Sequence, residues 1–134
     1  MKNKKLAIIC LVGIFIVASV CGVLYMKSLP VGHEDLLEVV KNADAVEETQ
    51  DWVIEPSGVG SADDSIQRVF KKAKIDGTPL MYIGYQLNPD GIDYGFTVRD
   101  KDNVQHLFIV RQTVDNNISV VSDSTDFDLL DYFI

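Results

Sequence analysis

Past residue 27 the sequence contains no cysteine. Cys10 and Cys21, the two in the chain, both lie in an apolar run near its start. The rest of the chain therefore has no disulfide framework and no thiolate metal site, and cysteine usage does not report the redox compartment. Histidine is nearly as scarce. His33 and His106 stand alone, neither at a familiar ligand spacing from another His, Cys or carboxylate. Basic residues are few where it matters. Lys2, Lys4, Lys5 and Lys27 flank the apolar run, which leaves 8 of the 12 Lys/Arg for Ser28–Ile134 against all 20 Asp/Glu, a net of −12. A domain of that charge repels phosphate backbones and anionic headgroups. Nucleic acid is excluded as a natural ligand, and a basic protein partner or a cationic ligand is favoured.

Catalytic and cofactor motifs are missing too. No serine sits in a Gly-x-Ser-x-Gly context, and Gly58-Val-Gly60 lacks a third glycine. Asp100-Lys-Asp-Asn103 begins like a calcium loop, but Val104 takes the place of the fifth-position ligand, so a turn is expected there. Asp126 and Asp128 form an acidic pair with no accompanying catalytic pattern. The expectation is a protein that is not an enzyme and binds no cofactor or metal.

What is present begins with the apolar run. Leu6–Met26 carries no charge. At ~1.5 Å rise per residue a helix of that length spans roughly 30 Å, one bilayer core. A cleaved signal at Val17-Ala18-Ser19 is disfavoured because apolar sequence continues past it. Lipidation of Cys21 is disfavoured because Val20, not a small residue, precedes it. The expectation is an uncleaved single-pass anchor through residues 6–26. The lysines at its start place the N-terminus in the cytoplasm of a bacterial cell. The acidic domain then lies in the periplasm or outside the cell. Ala18 and Gly22 form a small-xxx-small pair through which two anchors can approach. The chain divides into 1–27 (lysines and anchor), 28–32 (a linker containing Pro30 and Gly32) and 33–134 (the acidic domain).

Within that domain, Leu36, Leu37, Val40, Ala43 and Val46 mark a helix over His33–Glu48. Trp52-Val-Ile54 is read as a short strand outside the main meander, and Pro56–Ser61 as a loop. A second helix follows, with Ser61 and Asp64 as an acidic capping box and Ile66, Val69, Phe70 and Ala73 on its apolar face, ending at Asp76-Gly77. The period then changes to two. Strands are expected over Leu80–Leu87, Ile92–Arg99, Val104–Thr113 and Ile118–Asp123, with turns at Asn88-Pro-Asp-Gly91, Asp100–Asn103 and Asp115–Asn117. Connections this short require antiparallel neighbours. The fold class is α+β: a transmembrane helix, then two helices packed on a four-stranded antiparallel meander. Ile92, Tyr94, Phe96 and Val98 should face the core. Val104, Phe108 and Val110 compete with Leu107 and Ile109 for that role on the next strand. Either both faces are covered or one meets a partner. Tyr82, Tyr85 and Tyr94 are equally suited to core and to binding.

The tail, STDFDLLDYFI, combines acid and aromatic residues. It reads either as a segment docked on the sheet, with Thr125 and Asp128 capping a last turn, or as a partner-binding strip. The candidate contact residues are Tyr85, Asp90 and Asp93 around the hairpin, and Asp126, Phe127, Asp128, Asp131 and Tyr132 in the tail. Anchor, helix and meander together resemble, in layout only, the small periplasmic bacteriocin immunity proteins. No motif is shared, so no residue role transfers. The expected function is a membrane-anchored binding module outside the cytoplasmic membrane, specifically an immunity or inhibitor protein that captures a toxin or hydrolase. The alternative is a structural subunit of an envelope or secretion assembly.

Overall fold

The computed structural model describes residues 29–42 and 46–133. The expected anchor at 6–26, both cysteines and the Ala18–Gly22 seam lie outside the described residues. No helix among the described residues is long and apolar enough to cross a membrane.

The element order is α1 (Glu34–Lys41), β1 (Val53–Gly58), a 3₁₀ turn (Val59–Ser61), α2 (Asp64–Ala73), β2 (Thr78–Asn88), β3 (Gly91–Arg99), β4 (Gln105–Thr113), β5 (Ile118–Ser124) and α3 (Leu130–Phe133). The sheet is antiparallel throughout, in the order β1-β2-β3-β4-β5. It has five strands, not the expected four. The extra strand grows from Trp52-Val-Ile54. It leaves the sheet edge through the 3₁₀ turn and α2 before β2 returns beside it, so no tight turn announces the pairing. Glu55 and Pro56 fall in the register shift between Ile54↔Gly84 and Ser57↔Tyr82. Proline has no N–H to give to a ladder, which suits an edge strand with a bulge. Gly84 permits this pairing, because a side chain there would collide with the Val53 carbonyl.

Helix α1 is half the expected length. Asn42 leaves it in an extended conformation, and only Leu37 and Val40 of its stripe are buried within it. Asn and Asp favour turns over helix interiors, and 42–44 reads Asn-Ala-Asp. Helix α2 is capped by Asp63, not by Ser61. The Asp63 carboxylate accepts from the Ser65 N–H at 2.9 Å and the Ser65 hydroxyl at 2.8 Å. Ser61 is taken up by the 3₁₀ turn. The helix closes at Lys74 in the left-handed conformation, before Asp76-Gly77.

The core lies between the helices and one sheet face. Ile92, Tyr94, Phe96 and Val98 are fully buried, as their alternation predicts. Cross-strand pairing places Val110 opposite Tyr94 and Phe108 opposite Phe96 on that face. Ile66 and Val69 of α2 and Leu37 of α1 pack against it. Burying side chains of this size contributes roughly 1.5–3 kcal/mol each. The opposite face is covered as well: Ile83 and Leu107 are buried there, and the tail crosses it with Tyr132 set edge-on to Trp52 at 5.5 Å between ring centres. Strand β4 is thus covered twice, which explains its apolar residues on both faces. Of the three tyrosines, Tyr82 and Tyr94 are core, while Tyr85 is half-buried.

Candidate functional site

A concavity opens where the start of α1, strand β1 and the N-terminus of α2 converge. It is a cleft of about 640 Å³ lined by Gly32–Asp35, Glu55, Ser57, Asp63, Ser65 and Tyr82, among others.

Its floor is a hydrogen-bonded network. Tyr82 Oη donates to Glu55 Oε1 at 2.5 Å, and the same oxygen meets His33 Nε2 at 3.2 Å. The His33 ring packs against Tyr85 at 4.3 Å and stacks over Tyr94 at 6.0 Å between ring centres. Beneath it, Tyr94 Oη accepts from the His33 N–H at 2.8 Å and donates to Gln112 Oε1 at 2.7 Å. Gln112 is fully buried. Its amide nitrogen donates to the Val31 carbonyl at 2.8 Å and to Asn116 Oδ1 at 2.7 Å. Burial, and then the hydrogen bond to Glu55, push the Tyr82 hydroxyl far above the ordinary phenol range. Burial does the same to Tyr94. Both are neutral donors throughout the physiological range.

The wall next to α1 is the expected linker, and it is not slack. Val31 and Gly32 are buried. Gly32 N–H donates to the Ser65 carbonyl at 2.8 Å, Val31 N–H to Glu34 Oε1 at 3.0 Å, and Arg68 Nη1 to the Pro30 carbonyl at 2.7 Å. Gly32 has φ +61°, and a side chain on it would strike the Tyr94 hydroxyl, so only glycine fits.

Charge is one-sided. Glu34, Asp35, Glu55 and Asp63 line the cleft, and the neighbouring cation, Arg68, is turned to a backbone carbonyl. Backbone and hydroxyl hydrogen bonds from Ser65 hold the Asp63 carboxyl below its ordinary range. Glu55 takes both of its bonds on one oxygen. An aromatic floor under carboxylates that, among the described residues, form no salt bridge with a Lys or Arg suits a guanidinium or ammonium group on an apolar stem.

The eight candidate contact residues fall in three places. Tyr85 backs the cleft through His33. Asp93 is nearly buried on the opposite sheet face, where Arg111 grips it with Nε at 2.8 Å and Nη2 at 3.1 Å; Asp90 lies 3.7 Å from the same guanidinium. Asp126, Phe127, Asp128, Asp131 and Tyr132 line a second groove of about 430 Å³ with Trp52, Leu107 and Ile109. Asp128, not Thr125, caps the last turn, accepting from the Leu130 N–H at 3.0 Å. Sequence reasoning left Tyr82 open between core and binding and missed His33, Glu55 and the acidic rim, because they come from segments that only the β1–β2 pairing brings together. Comparison with protein-family models, with curated proteins and with solved structures finds no match.

Proposed function

We propose that this chain is a membrane-anchored protein-binding module working outside the cytoplasmic membrane of a bacterial cell, and that it is an inhibitor or immunity protein. It captures a toxin or hydrolase by seating a Lys or Arg side chain of that partner in the cleft. The observation carrying this reading is the rim of Glu34, Asp35, Glu55 and Asp63 around an aromatic floor, in a domain of net charge −12. Acidic surface charge speeds encounter with a basic partner. In the cleft the cation then meets Glu55 and Asp35 while its stem covers Tyr82 and His33.

The test is affinity capture with the full-length protein in detergent, beside a double variant, Asp35→Lys with Glu55→Gln. The reading expects a basic partner that is recovered by the wild type, is lost with the variant, and associates more slowly as salt rises. Equal recovery by both proteins, or a rate indifferent to salt, would overturn it.

One observation favours the alternative, a subunit of an envelope assembly. Strand β5 is a sheet edge with Val120 and Val121 exposed, and exposed edges pair with other chains. Exchange of residues 6–26 for an unrelated membrane helix separates the two. An inhibitor keeps its activity, whereas a subunit relying on specific helix contacts loses assembly.

A further inference from the structure

His106 lies outside the cleft, on β4, and has a carboxylate on each ring nitrogen. Nε2 meets Asp100 Oδ2 at 2.6 Å, and Nδ1 meets Asp123 Oδ1 at 2.7 Å. Ionised carboxylates only accept hydrogen bonds. Both contacts are therefore satisfied together only when both ring nitrogens carry hydrogen, that is, by the imidazolium. Asp100 comes from the β3–β4 turn and Asp123 from the edge strand β5, so the ring ties one to the other across β4. The remaining surroundings are apolar. Phe108 stacks on the ring at 5.5 Å between centres, and Val98 pairs with it from β3. Helix α2, which lies over β4 and β5, carries Arg68, Lys71 and Lys72. Arg68 bonds Pro30, and both lysines are exposed.

The two ends of the tie are unequal. Asp100 is fixed independently of the ring, because its Oδ1 accepts from the N–H groups of Asp102 at 2.8 Å and Val104 at 3.0 Å. Asp123, among the described residues, has only the ring. We propose that His106 is a proton-operated latch on strand β5: protonated, it holds Asp123; neutral, it keeps its hydrogen on Nε2 toward Asp100, faces Asp123 with a bare lone pair, and lets β5 loosen. The outermost strand is suited to this. Its ladder to β4 is already interrupted by a register shift at Ile109/Val110. The tail that follows makes its hydrogen bonds locally, as in Ser124 Oγ to the Asp126 carbonyl and Tyr132 N–H to the Leu129 carbonyl. A loosened β5 therefore also loosens the cover over Trp52, the single tryptophan of the chain.

The linkage has a definite sign. Hydrogen bonds donated by the ring to Asp100 and then to Asp123 raise its pKa above the ordinary histidine value. The latch's contribution is fully present below that ordinary value, about 6.5, and is lost as pH rises through the elevated one. On the acid side, Asp100 is held below its ordinary range chiefly by the His106 hydrogen bond, so the ring's tie to the β3–β4 turn weakens as pH falls through that depressed value.

The experiment uses the full-length chain in detergent micelles. Imidazole nitrogen NMR gives the His106 pKa and neutral tautomer, hydrogen exchange follows the amides of 118–124, and Trp52 emission reports the tail. The expected result is an elevated pKa and an Nε2–H neutral form. Above that pKa, β5 exchange, corrected for its intrinsic pH dependence, should accelerate relative to β3 by up to about tenfold per pH unit, the limit for one linked proton. Trp52 emission should shift over the same range. His106→Gln should flatten this dependence, and Asp123→Asn, should the first variant fold poorly, should lower the ring's pKa. An ordinary or lowered pKa, an Nδ1–H neutral form, pH-independent β5 protection, or an unchanged profile in either variant would overturn the proposal.

Discussion

Tyr82 and Glu55 are joined by a 2.5 Å hydrogen bond between the phenolic hydroxyl and the carboxylate, across the β1–β2 pair. The bond links the buried core to the rim of the cleft, since Tyr82 is 2 % exposed and Glu55 is open to solvent. Tyr82→Phe keeps the ring and removes the donor. A hydrogen bond to a charged group is worth about 1.5–3 kcal/mol, and the lower end is expected here because solvent can replace the donor at Glu55. Urea unfolding of the wild type and the variant gives the difference directly. Tyr82→Ala also empties core volume and should cost more, about 3–5 kcal/mol as for other large aromatic truncations.

Gln112 joins Tyr94, Val31 and Asn116 through one buried amide. Gln112→Leu has similar bulk but leaves the Tyr94 hydroxyl without an acceptor and the Val31 carbonyl without this donor. Each unsatisfied buried group costs about 1–3 kcal/mol, so a loss of about 2 kcal/mol or more is expected in the same measurement. A variant as stable as wild type would mean that the network adds nothing to the fold.

At Gly32, any side chain faces both a positive φ of +61° and the Tyr94 hydroxyl. Gly32→Ala should destabilise by more than the ~1 kcal/mol usual for a left-handed glycine position, because the steric conflict adds to the backbone cost. Gly60→Ala is the control, since nothing lies within 4 Å of a side chain there. Thermal melts of the two variants should separate clearly.

Asp63→Ala removes the cap of α2, and losses of about 1 kcal/mol are typical of such changes. The pH dependence follows from the lowered pKa of the carboxyl, caused first by the Ser65 N–H. A depressed pKa contributes stability above the unfolded value, near 3.9, and that contribution disappears as pH falls through the folded one. The difference between wild type and variant should therefore be largest near neutrality and shrink in acid. A constant difference down to strong acid would argue against a charged cap.

Deleting residues 125–134 should uncover Trp52, Leu107 and Ile109. The expected outcome is a red shift of Trp52 emission and increased binding of an apolar dye, with the sheet itself retained in far-ultraviolet circular dichroism. Unchanged emission would mean that Tyr132 does not shield the indole.

Much of the sheet could be read in advance because its signals are local. Asn88-Pro-Asp-Gly91 fixes a hairpin, and the alternation through Ile92–Val98 fixes which residues are buried. Strand β1 is legible only at its start, Trp52–Ile54; its partner lies beyond a whole helix, and Pro56 argues against continuing the strand to Gly58. The apolar stripe runs on past Asn42 to Val46, which is buried, although the helix itself ends at Lys41. The cleft has no local signature at all. His33, Glu55 and Tyr82 are ordinary residues until long-range pairing brings them together, and the same holds for His106 with Asp100 and Asp123. In the tail, by contrast, composition alone brought Asp126, Phe127, Asp128, Asp131 and Tyr132 to notice, and they do share one groove.

The stitching of Pro30–His33 to Ser65, Tyr94, Gln112 and Arg68 has a mechanical consequence. Tension applied from the N-terminal side of residue 30 is not absorbed by slack chain. It loads the Val31 and His33 bonds at once, and through them the Tyr94–Gln112 pair at the centre of the sheet. The cleft, built from the same residues, cannot swivel independently of that point of attachment, so a force pulling there would deform its floor before the distal strands felt it.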